Sequence, residues 1–103
     1  MNGVTPRPAS CLHLVLSARK DALEACRASL GQGDAIFFLA DGVLVLLEHL
    51  PADWPPHTET FYSHADLQAR GLLAAARDAA VTVAHDPQIA PLLRHHRHCL
   101  SWK

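Results

Sequence analysis

The chain is 103 residues long, 50% hydrophobic and only 18% charged, with a formal net charge of −1. That length supports a single domain. The apolar content excludes a disordered chain, and the balanced charge leaves no strongly basic or acidic face to draw nucleic acid or metal by field alone. A membrane span needs about 20 unbroken apolar residues, and Asp41-Gly42 interrupts the longest run, Ala35 to Leu47.

Residues 1–10 carry two prolines and one arginine and read as a loose arm without the pattern of a signal peptide. Cys11 to Ser17 is a short apolar run containing a β-branched residue, hence a strand. The segment from Asp21 to Leu30 has an apolar stripe of Leu23, Cys26 and Leu30. Asp21 and Glu24 stand at capping-box spacing, and Gly31 and Gly33 follow as terminators, so it is expected to be a helix. Ala35 to Leu39 is apolar at every position, as in strands buried on both faces of a parallel sheet. After the turn at Asp41-Gly42, Val43 to Leu50 is expected to be a short helix, and the three prolines within residues 51–57 make that stretch a loop.

Glu59 to Ser63 reads as a third strand and Ala65 to Leu72 as a helical turn stopped by a left-handed Gly71; Ala74 to Ala79 adds another turn. Ala80 to Ala84 is a fourth strand. Asp86-Pro87 has the form of an N-cap followed by proline in the first turn, with Ile89, Leu92, Leu93 and His96 as the helical face, and Pro91 offers a later start. His98 to Trp102 forms a final strand. The alternation implies a three-layer α/β/α domain over residues 11–103, with a mainly parallel sheet of about five strands. A domain this small and this poor in charge leaves apolar area outside, and a partner subunit, identical or different, is the plain way to cover it.

No G-x-S-x-G, G-x-G-x-x-G or P-loop is present. Asp41 and Asp66 sit at turns, where a carboxylate is more often a cap than a base. The segment Arg94 to Cys99 (RHHRHC) is rich in metal-ligand types: His95, His96, His98 and Cys99. Adjacent helical residues point about 100° apart, which disfavours one shared ion. The bland reading is a polar helix C-terminus, with a weak phosphate or RNA contact through Arg94 and Arg97 as an alternative. Three cysteines without a C-x-x-C indicate neither a disulfide framework nor a zinc ribbon and fit reduced thiols in the cytoplasm. Cys26, on the helical stripe, reads as a buried small hydrophobe. Cys99, beside Arg97 and His98, has the charge that favours a reactive thiolate. Cys11 reads as a packed or edge residue.

Several blocks together resemble the DsrH/TusB family: LHLV (Leu12 to Val15), the helix with Cys26, GDAIFFLADGV (Gly33 to Val43), FYSHADLQARGL (Phe61 to Leu72) and the closing CLSW (Cys99 to Trp102). The resemblance covers nearly everything after residue 10. It implies a DsrEFH-like fold and an accessory, non-catalytic subunit of a sulfurtransferase complex with no cofactor or metal. The implied partners are DsrE/TusD-like and DsrF/TusC-like subunits, arranged as a dimer of heterotrimers, and a TusE/DsrC-like sulfur carrier. The relay would pass persulfide sulfur toward 2-thiolation of the tRNA wobble uridine, touching tRNA only indirectly. The same architecture also serves dissimilatory sulfur oxidation. DsrH-type members carry a cysteine in the first helix, and Cys26 stands at that position, so Cys26 is the candidate persulfide carrier and Cys99 the second candidate. TusB-type members commonly lack this cysteine. Three departures stand out: the arm, the proline-rich 51–57, and His85-Asp86 where members often have Asp-Tyr. Alternative readings are a His-rich metal-binding domain and a homo-oligomeric DsrE-like protein.

Overall fold

A computed structural model describes residues 10–48 and 58–103. The arm (apart from Ser10) and the 51–57 loop expected from sequence lie outside the described residues. Five strands form one sheet in the order β4-β3-β2-β1-β5, and every adjacent pair is parallel. They are β1 (Cys11–Val15), β2 (Ala35–Phe38), β3 (Glu59–Ser63), β4 (Val83–Ala84) and β5 (His98–Trp102). Helices α1 (Lys20–Ser29), α2 (His64–Ala69), α3 (Leu73–Asp78) and α4 (Asp86–His95), with a 3-10 helix over Ala40–Leu47, complete the three-layer α/β/α fold expected from the alternation.

Strand periodicity sorts the core onto two faces. On one, Val15, Ile36, Phe38 and Tyr62 meet Leu23 and Cys26 of α1, Val43 and Val45 of the 3-10 helix, Leu67 of α2 and Ala76 of α3. On the other, Leu12, Ala35, Phe37 and Ala84 are buried, with Ile89 and Leu92 of α4 packed against them. The continuous apolar run of β2 follows from this: all four of its residues are buried, between two layers.

Several boundaries differ from expectation for local reasons. No capping box forms at Asp21; α1 begins at Lys20, its N-cap Arg19 makes no side-chain cap bond, and Asp21 instead accepts from the Ala22 N–H and the Arg19 guanidinium. Asp21 still lies in the first turn, where a carboxylate complements the helix dipole. The first strand ends at Val15. The fourth shrinks to Val83–Ala84 because Ala80 takes a left-handed conformation (φ 56°), which delays the chain's return to the sheet. Gly71 is left-handed as expected (φ 68°). His85, not Asp86, caps α4; its N–H donates to Gln88 Oε1 at 2.8 Å, and the helix runs from Asp86 through Pro91 rather than starting there. Asp41 and Asp66 do not act as N-caps. Ser63 Oγ accepts the Asp66 N–H, while the Arg70 guanidinium joins Asp41 of the 3-10 helix (2.9 Å) to Asp66 of α2.

Candidate functional site

The polar centre of the molecule lies where β1, β2 and β5 meet. His13, in the middle of β1, is fully buried. Its Nε2 lies 2.8 Å from Asp34 Oδ2 and its Nδ1 lies 3.0 Å from Trp102 Nε1. An indole N–H only donates, so Nδ1 must be the accepting nitrogen. The proton therefore sits on Nε2, which donates to Asp34, and the imidazole is neutral. The two rings are nearly parallel, with an interplanar angle of 14°.

Asp34, just ahead of β2, is the hub. Its Oδ2 also accepts the Gly31 N–H and its Oδ1 the Cys11 N–H, both at 2.9 Å. Burial works to raise its pKa, but the hydrogen bond from His13 and those from the Gly31 and Cys11 N–H groups prevail and hold the carboxyl below its ordinary value. The left-handed Gly33 (φ 85°) makes the turn that aims this carboxylate back at β1.

Cys11, His13 and Asp34 are the one group of three metal-ligand types that converge among the described residues, their ligand atoms within 4.8 Å of one another. Both ring nitrogens of His13 already have partners and Asp34 accepts three bonds. Burial first, then the charges of Asp34 and Cys99, raises the Cys11 thiol toward its protonated form. The cluster is thus a closed hydrogen-bond clamp rather than a metal centre. Nor is it a catalytic dyad, since His13 has no free lone pair to present and no exposed surface.

The residues singled out from sequence do not converge. Cys26 is completely buried in α1, and burial, followed by Cys11 and Asp34, pushes its thiol up to about 12. Cys99 is exposed on β5, opposite Leu12 of β1. Alternation places Cys99 on the α4 side of the sheet, away from Cys26. The alternative ligand set in the tail does not converge among the described residues: His95, His98 and Cys99 are exposed, and His96 alone turns inward. The His95 and His96 rings meet edge to face, 5.3 Å between centroids. Desolvation, helped by His95, lowers the His96 pKa against the opposing pull of Glu59 and Asp34, and neither of its ring nitrogens has a hydrogen-bond partner. Arg94 and Arg97 are both exposed at the end of α4.

His13 and Asp34 were not singled out from sequence. The available signals were a histidine inside an otherwise apolar strand and an aspartate directly before another. The closing Trp102 enters only as part of the CLSW block.

A family model described as DsrH like protein matches residues 17–97. The chain belongs to the DsrH-like family. No curated protein matches it. Members of the DsrH family work in complexes with DsrE- and DsrF-like partners and make this chain a sulfur-relay subunit by kinship. Of the clamp in this DsrH-like chain, His13 and Trp102 fall outside the matched span, while Asp34 falls within it. No helix among the described residues is long and apolar enough to cross a membrane.

Proposed function

We propose that this chain is the accessory subunit of a cytoplasmic sulfur relay that passes persulfide sulfur between protein cysteines toward 2-thiolation of the tRNA wobble uridine. Membership of the DsrH-like family carries the reading. Its partners are DsrE/TusD-like and DsrF/TusC-like subunits in a heterohexamer, with a TusE/DsrC-like protein receiving the sulfur. In each step a thiolate attacks the outer sulfur of a persulfide, the S–S bond breaks and the donor leaves as a thiolate. Such exchange asks for aligned, water-poor thiols more than for acid–base side chains, which suits a subunit in which His13, Asp34 and Trp102 are closed on one another.

Cys26 supports packing in the resting chain: a fully buried thiol with its pKa near 12 is protonated at neutral pH. Cys99 is the accessible thiol. Co-expression with the two partner subunits is expected to give a stable hexamer whose loss, on deleting this chain, abolishes 2-thiouridine in tRNA. Unchanged thiouridine together with lost sulfur-oxidising activity would move the subunit to dissimilatory sulfur oxidation. Incubation with a cysteine desulfurase and cysteine, followed by intact-mass measurement, tests the carrier role. No persulfide adduct is expected on Cys26; an adduct that disappears in Cys26→Ser overturns the accessory reading.

A further inference from the structure

We infer that the cavity beneath α4 is a docking pocket for an arginine side chain of a partner protein, an inference that rests on reading the chain as a subunit. The cavity, about 340 Å³, opens on the sheet face that α4 covers. It exists because β4 is so short. Only Tyr62 and Ser63 of β3 have strand partners there, so Glu59, Thr60 and Phe61 have no described strand beyond them.

Its walls combine two kinds of surface. Phe61, Val83, Ala84 and Leu92 supply apolar area, and Glu59 and His95 bring polar groups to it. Glu59 and Phe61 are two apart on β3 and so share a face, a carboxylate beside a half-buried ring. No cationic side chain among the described residues pairs with the exposed Glu59.

An unpaired carboxylate next to an aromatic face is the complement of a guanidinium. The planar head donates two parallel hydrogen bonds to one carboxylate and stacks on a ring, while the three-carbon stem covers apolar wall. Lysine offers a point charge without the fork or the flat face, and an uncharged apolar group leaves Glu59 unanswered. Arginine is also the cation enriched at the buried centres of protein interfaces.

The test titrates the 15N-labelled full chain with N-acetyl-arginine N-methylamide and with its citrulline counterpart, which has the same shape without the charge. The arginine compound is expected to shift the amide signals of Phe61, Val83 and Ala84 saturably and to bind at least tenfold more tightly than the citrulline one. Glu59→Gln should erase that preference. Phe61→Leu, which keeps the wall apolar, should weaken arginine binding by roughly threefold. No saturable shift at these residues overturns the inference. So does equal binding of the citrulline compound, which would make the cavity an apolar ligand site, and so does displacement of the same signals by dilution alone, which would make the occupant a second copy of this chain. A failed titration leaves the sulfur-relay assembly untouched. Failure of that assembly, with the probe still bound, overturns the subunit reading and the partner with it.

Discussion

At the scale of single residues, the His13 clamp is the feature with most at stake. His13 itself is fully buried, and an unanswered buried acceptor costs more than the bond is worth when made. Trp102→Phe keeps a ring at the site and removes the indole N–H, leaving His13 Nδ1 without a donor. A loss of about 2 kcal/mol is expected in urea unfolding. Asp34 gives a pH signature with a definite sign. Its folded pKa lies below its ordinary value, so its contribution is complete above the ordinary carboxylate range and is lost as pH falls through the lowered folded value. Between neutral pH and pH about 3, wild-type stability should fall more steeply than that of Asp34→Asn, followed by denaturant unfolding at each pH. The residues of this clamp were the least legible part of the sequence. A histidine within an apolar strand carries no sign of its partner when that partner is 89 positions away. The thiols and the RHHRHC tail drew the eye because composition announces them, yet composition says nothing about which side chains a fold brings together.

At the scale of elements, legibility tracked how much of a signal was local. The β2 run, the left-handed Gly71 and the closing strand all follow from a few adjacent residues, and they appear where the sequence puts them. The Asp21 capping box and the full length of the fourth strand were misread because neighbouring contacts compete: Asp21 engages Arg19, and the left-handed Ala80 consumes residues that would otherwise extend the strand. Ala80→Gly relieves the Cβ penalty of that conformation, partly offset by backbone entropy, and should raise stability by about 0.5–1 kcal/mol in thermal or urea unfolding. Gly42 behaves oppositely. A Cβ there would be driven into the carbonyl oxygen of Val15, at the packing of the 3-10 helix on the end of β1. Gly42→Ala should cost about 3 kcal/mol or leave the chain insoluble, judged by the unfolding midpoint and yield.

At the scale of the whole molecule, the two sides of the sheet are unequally covered. Among the described residues, one face carries α1, the 3-10 helix, α2 and α3, whereas α4 is the one helix packed on the other and has no buried residue of its own. Stability should therefore be graded. Amides of β1 and β2 are expected to exchange only through global unfolding, while those of β4 and α4 exchange through local opening, as native-state hydrogen exchange would show. Equal protection across all elements would contradict this grading. The exposed large hydrophobics among the described residues, Leu47, Leu93 and Leu100, lie on three different elements, the 3-10 helix, α4 and β5.

The pairing of β1 with β5 also fixes an order of events in the cell. Strand β1 has as its neighbour a strand made much later, β5, and the indole that completes the clamp is 89 positions behind its imidazole. At ordinary translation speeds that gap lasts on the order of 10 s. Until β5 emerges, β1 lacks its neighbour on that side and His13 lacks the Trp102 N–H, so over that interval the nascent chain is exposed to mispairing and to assistance from chaperones.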